Sequence, residues 1–341
     1  MAPGQQVTAL EGARTVLDLT AMLMEAAFEE LGEGTILASM PGYLERFGED
    51  NARYLAKHGT RWDPAQGAVA ALTPMNVVSR LTGTPFTMVE ATRRQAVKRL
   101  HACEFQEAFA DRGGFPRTMI CQLHGAAYQG SVNGLVERPE DGYDVEVRSR
   151  ILFGDGHCDF CVRSRSERPD TPDQEGESPS PPPEEELAAL NVDFYAFILA
   201  SFVDYMEAML PPERVAAHVL GSARQAGSRL QGRRGFRGDA GTVLRDVLHA
   251  TGHRFAEGAR GALVTYCPNE RGIRDATRRS PPERAAEARR QAGRMCAAIL
   301  EGAIAEAVGP VRVRRERTEH AGGTAWHYRV EPEGAAGEGE R

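Results

Sequence analysis

Residues Gly154–Cys161 read GDGHCDFC, and the fold turns on whether this is a metal knuckle, a redox pair or a strand that carries two thiols. Gly-Asp-Gly is turn chemistry, and the residues after it suit an extended segment. In a strand over 157–163 successive side chains point to opposite faces, so Cys158, Phe160 and Val162 share one side and His157, Asp159 and Cys161 the other. The two sulfurs are then split across the sheet. A zinc knuckle takes converging sulfurs from a turn, and a thioredoxin-like pair opens a helix. The stretch predicts a turn leading into a strand, with Cys158 facing a pocket and Cys161 facing away.

Upstream, YDVEVRSRILF (143–153) reads as a neighbouring strand, and TMICQLHGAAYQGSVNGLV (118–136) as a helix from about 117 to 134. Before these, RLTGTPFTMVEA (80–91) reads as a hairpin around a Gly turn and QAVKRLHACEF (95–105) as a further strand. Leu17, Ala21, Met24, Phe28 and Leu31 recur at helical spacing, so the unit opens with helices.

Downstream, residues 163–186 hold six Pro and eight acidic residues and no large apolar side chain. Such a segment cannot bury enough surface to offset its ordering entropy, which predicts a flexible linker. Beyond it the same order returns. VVSRLTGTPFTM (77–88) matches DVLHATGHRFAE (246–257), and RLHACEFQEAF (99–109) matches LVTYCPNERGI (263–273). The helix 118–136 pairs with 293–311, and GDGHCDFCV (154–162) with GGTAWHYRV (322–330). Helices, strands, helix, strands in both halves predict an α+β fold of two similar units, each with helices packed on an antiparallel sheet. The expected division is 1–162, linker 163–186, second unit 187–331 and a disordered tail 332–341.

Composition bounds the function. The chain has 341 residues, 41% apolar and 26% charged, with net charge −7, so it lacks the basic excess that phosphate-backbone binding needs. The dense Arg229–Arg237 cluster reads as a solvated loop or a local anion site. No apolar run is long enough to cross a membrane and the N-terminus carries no secretory pattern, which predicts a cytoplasmic protein without membrane or nucleic-acid partners. The six cysteines, at 103, 121, 158, 161, 267 and 296, are then reduced thiols, ligands or nucleophiles.

On the helix 117–134, Cys121, His124, Tyr128 and Val132 fall on one face. The matching face in the second half carries Cys296, Ile299, Ala303 and Ala307. A polar stripe on an inward face costs desolvation, and function is one reason to accept it. The alternative is a buried Cys acting as a small hydrophobe beside a hydrogen-bonded His. Cys103 precedes this helix and Cys158 follows it, so both can approach Cys121. Only the first half keeps three thiols, which predicts a working site there and a scaffold-like second half.

Together CEFQEAF (103–109), QLHGAAYQGSVNGL (122–135) and GDGHCDF (154–160) resemble the L-2-amino-thiazoline-4-carboxylic acid hydrolase family and the related 4-vinyl reductase-like small-molecule-binding domains. The resemblance covers about 95–162 and reaches the second half only faintly. It implies a pocket between helix and sheet, lined by Cys103, Cys121 and Cys158, and hydrolytic opening of a small C–N heterocycle. On that reading Cys121 is the nucleophile, His124 or His101 activates it, and Asp155 or Asp159 orients the imidazole. His101, Cys103, Tyr128, Asn133 and Cys158 line the substrate, and no cofactor is required. A second reading is a binding module for a metabolite, haem or metal, with Cys103, Cys121 and Cys158 binding zinc or contributing to an iron–sulfur cluster. A third is a scaffold whose halves form a pseudo-dimer or a homo-oligomer.

Overall fold

The computed structural model describes residues 3–58, 60–63, 66–81, 83–103, 117–166, 197, 199–258, 261–268, 270, 282–320 and 323–332. The side chains of 3–13 and 117–123 lie outside that description, as do the predicted linker and tail apart from 163–166 and Pro332. The fold is α+β, in two units that share one design.

In the first unit, Ala27–Leu190, the described elements are the later part of α1 (Pro3–Lys57), α2 (Ala68–Ala71), α3 (Thr73–Leu81), β1 (Phe86–Ala91), β2 (Gln95–Leu100), α4 (Arg117–Asn133), β3 (Tyr143–Ser149) and β4 (Cys158–Ser164). All neighbouring strands run antiparallel, in the order β1-β2-β4-β3. β4 continues through Ser164, so the predicted linker starts one residue pair too early. Ala96, Lys98 and Leu100 of β2 stand opposite Val162, Phe160 and Cys158 of β4. Tyr128 and Val132 of α4 join Ala96, Leu100, Cys158, Phe160 and Val162 in one core.

The second unit comprises Met1–Ala26 with Asn191–Arg341. It contains a helix over 199–209, then α5 (Pro212–Arg234), α6 (Ala240–Ala250), β5 (Arg254–Gly258), β6 (Gly261–Tyr266), α7 (Pro282–Val308), β7 (Val311–His320) and β8 (Gly323–Pro332). Its sheet has the order β5-β6-β8-β7, the same as the first. One feature departs from the predicted division at 162: the first 26 residues group with the C-terminal half. The buried Asp18 carboxylate pairs with Arg233 of α5, and Thr15 accepts a further bond from it. The Arg229–Arg237 cluster thus spans the end of α5, through Arg234, and the coil that follows it, with Arg233 committed to an ion pair.

Main-chain contacts fix which residues correspond. α3 and α6 both stop at a glycine of positive φ, Gly83 at 69° and Gly252 at 76°, a conformation that costs glycine nothing. The next amide then reaches back to the helix, Thr84 N to Ser79 O and His253 N to Leu248 O, the six-to-one bond of a Schellman stop. Gly83 therefore ends a helix, and the expected hairpin lies further on, where Thr92 and Gln95 close the β1–β2 turn. Gln129 Oε1 accepts from Val145 N at 2.8 Å, and Glu301 Oε1 accepts from Val313 N at 3.0 Å. A Cβ at Gly130 would strike the Glu45 carbonyl, and one at Gly302 the Arg224 carbonyl.

These contacts match Gln129 with Glu301 and Gly130 with Gly302. Cys296 therefore occupies the place of His124, and Cys121 corresponds to Gly293, three residues away from the pairing expected from sequence. Strand register matches Lys98 with Ala262, Phe160 with Tyr328 and Cys158 with Trp326, the last as expected.

Candidate functional site

Within the first unit the Cys-x-x-Cys pair is split as its alternation predicts. Cys158 lies in the core beneath α4, while Cys161, also buried, is not part of that core. Cys158 Sγ accepts a bond from Ile151 N at 3.1 Å. Burial pushes its thiol up, outweighing that bond, and the nearby Asp155 and Asp159 add to the rise. This is the environment of a protonated structural thiol rather than of a thiolate.

His124 stands edge-on to Tyr128 and Phe160 at 5.1 and 5.3 Å between ring centres, and those two rings stack at 3.9 Å. Its ring is only partly accessible, and desolvation followed by the Lys98 charge pushes the imidazole down to about 4. A neutral imidazole is kept at pH 7, but one this weakly basic is poorly matched to taking a proton. Lys98 is fully buried. Its Nζ donates to Met75 O at 2.5 Å and Ser79 Oγ at 2.8 Å and lies 4.5 Å from the Phe86 ring centre.

Other expected site residues serve local structure. Asp155 Oδ2 accepts from Arg150 N at 2.7 Å and closes the turn before β4. Asn133 ties α4 to β3 by bonding both the N–H and the C=O of Tyr143. His101 bonds Thr87 across the β1–β2 pair. Asp159 forms a two-pronged bond with Arg99 at 2.7 and 2.8 Å and lies 3.4 Å from His157. Arg99 first, and then His157, hold this carboxyl below its usual range against a smaller desolvation effect. Tyr128 and Cys158 do share one core. Cys103 is partly buried just after β2, and the Cys121 side chain lies outside the described residues.

In the second unit three metal-type donors converge. The Schellman stop after α6 turns His253 inward, Cys267 follows the last residue of β6, and Cys296 projects from α7. All three are buried, and their donor atoms lie within 4.8 Å of one another. The two sulfurs are 3.3 Å apart.

Hydrogen bonding fixes the histidine tautomer. Thr251 Oγ1 donates to Val247 O at 2.8 Å, so its lone pair accepts from His253 Nδ1 at 2.9 Å. That leaves the proton on Nδ1 and a lone pair on the buried Nε2, which makes no hydrogen bond of ordinary geometry and faces the Cys267 thiol. An outer hydroxyl orienting the imidazole in this way is the support that metal-binding histidines use.

Around these donors stand Arg315, Trp326, Tyr328 and Glu270. The Arg315 guanidinium lies 3.4 Å from the Trp326 ring centre and pairs with Glu270, whose other oxygen accepts from Trp326 Nε1 at 3.1 Å. Gly293 leaves room for it, since a Cβ there would meet the guanidinium. Desolvation raises the Cys267 thiol, but the Cys296 thiol, His253 and Arg315 outweigh it and hold Cys267 well below the ordinary range. Burial drives the Tyr328 phenol well above its own, helped by Cys296 and Cys267 and opposed by Arg315.

The donor set fits zinc. Two thiolates on a tetrahedral zinc sit about 3.8 Å apart, so the observed pair needs only a small outward adjustment. An iron–sulfur cluster takes four thiolates, twice the number present here. Sequence reasoning matched Cys267 and Cys296 to Cys103 and Cys121 but treated them as remnants. The signal that marks the site is the histidine of Ala-Thr-Gly-His, which replaces the threonine of Leu-Thr-Gly-Thr. No protein-family model, no curated protein and no solved structure matches this chain. No helix among the described residues is long and apolar enough to cross a membrane.

Proposed function

We propose that this protein is a metal-binding module whose second unit holds one zinc-type ion through His253 Nε2, Cys267 Sγ and Cys296 Sγ. The observation that carries the reading is the oriented Nε2 aimed at two buried thiols within 4.8 Å. Among the described residues such an ion has three protein ligands, two thiolates and one imidazole, and an open fourth position, the arrangement of ligand-accepting rather than closed sites. The test is metal analysis of the purified full-length chain. One zinc per chain is expected, lost on Cys296→Ser or His253→Ala and retained when Cys103, Cys121 and Cys158 are all changed to Ser. Loss of metal from the triple variant alone would move the site to the first unit.

A second reading keeps the hydrolytic expectation for a small C–N heterocycle but moves the nucleophile. What favours it is Cys267, whose depressed thiol and adjacent His253 suit nucleophilic attack. If it holds, metal-free protein alkylates with iodoacetamide at Cys267 before any other thiol at neutral pH. Equal labelling of Cys103 and Cys267 would end it.

A further inference from the structure

We propose that the fourth position of this metal site takes a small carboxylate, gripped by Arg315 and Tyr328; this rests on the metal reading above. The two residues lie directly opposite each other on β7 and β8, with the guanidinium 5.8 Å from the Tyr328 ring centre; Tyr328 packs in one buried cluster with Cys267 and Cys296, and Arg315 lies against Gly293, three residues before Cys296. Tyr328 is fully buried, and its Oη has no hydrogen bond of ordinary geometry, with Arg315 the side chain placed to supply one. Arg315, with a side chain 11% exposed, spends one nitrogen on Glu270 and leaves Nε buried without a hydrogen-bond partner.

Glu270 already accepts from Trp326 on one oxygen and from Arg315 on the other, and neither bond reaches the Arg315 Nε or the Tyr328 Oη. The site therefore holds a surplus of donors beside an open coordination position. Water would bring two further donors, whereas a carboxylate only accepts. One of its oxygens would complete the metal's four ligands, and the other would accept from the Arg315 fork and the Tyr328 hydroxyl. A divalent ion balances two thiolates and Arg315 balances Glu270, so the carboxylate brings one net negative charge, which its direct bonds to the metal, the Arg315 fork and the Tyr328 hydroxyl have to offset.

The first unit supplies an internal contrast. At the positions of Arg315 and Tyr328 it has Val147 and Phe160, which face each other across β3 and β4 in the same register. Neither carries a polar group. The guanidinium and the hydroxyl thus accompany the thiol–imidazole cluster and are not required by the shared frame.

The experiment uses the full-length chain loaded with Co²⁺ and titrated with formate, following the visible bands of the ion. A saturable spectral change is expected. Measured per bound cobalt, formate affinity should fall about tenfold or more in Arg315→Met and several-fold in Tyr328→Phe, a change small enough to spare the fold. A cobalt–thiolate band that formate does not move, or a formate response equal in both variants and the parent, would overturn the carboxylate site and leave the metal reading standing. Absence of any cobalt–thiolate band would overturn both.

Discussion

The two units have the same frame and different interiors. In the first, a lysine and a histidine sit among aromatic rings, Lys98 against Phe86 and His124 against Tyr128 and Phe160. In the second, the same places hold Ala262, Cys296 and Tyr328, and the buried cation enters from another strand as Arg315. What the units share is made by main chain: the glycine helix stops, the helix side chain bonded to a strand amide, and the glycines that let two helices touch. What differs is made by side chains pointing into the space between helix and sheet. A backbone so strongly specified can accept a polar interior of either kind, provided the groups find partners.

The largest effect should come from breaking the shared frame. Gly130→Leu and Gly302→Leu each force a side chain into a facing helix carbonyl, and both should cost about 3 kcal/mol or more, read as a lower denaturant midpoint. If only one variant is damaged, the two helix contacts are not equivalent.

Next comes a pH effect confined to the first unit. His124 is held near 4 in the folded chain against about 6.5 when unfolded. Its folded pKa is depressed, so stability is intact above about pH 6.5 and is lost as pH falls toward 4, by up to about 3 kcal/mol. His124→Phe should flatten the stability profile over that window. Lys98→Met removes the second cause of the shift, so the imidazole resonance should titrate at higher pH. An unchanged midpoint would show that desolvation alone sets it.

The smallest effect tests a residue expected to orient a catalytic imidazole. Asp159, with a side chain 13% exposed, is paired in two-pronged fashion with Arg99, 32% exposed, a partly screened pair that contributes about 1 kcal/mol. Asp159→Asn should lower the unfolding stability slightly, by about 1 kcal/mol, and leave the metal content of the second unit unchanged.

Much of this was legible in the chain. The period-two alternation of GDGHCDFC gave the strand and separated Cys158 from Cys161, because a strand leaves a sequence no choice about which face a side chain takes. The recurrence of Thr-Gly after an apolar helix aligned the first elements of the two units. The α4–α7 alignment slipped by three residues because a helix offers similar faces at neighbouring offsets, and matching Cys121 to Cys296 was attractive where matching Gly130 to Gly302 was silent. His253 was passed over for a related reason. Its inward direction comes from the helix stop that precedes it, and nothing in residue type alone says that a histidine after Gly252 turns toward the core while His101 bonds a neighbouring strand at the surface. Fold follows from periodicity, but a site assembled by three separate elements appears only when those elements are placed.

Met1–Ala26 is made well before Asn191–Arg341 yet belongs with it, so this helical stretch has to wait for α5 before Asp18 meets Arg233. Cutting the gene within 167–186 would therefore not yield two self-sufficient pieces. The C-terminal product would lack its helix, and supplying residues 1–26 as a separate peptide should restore it.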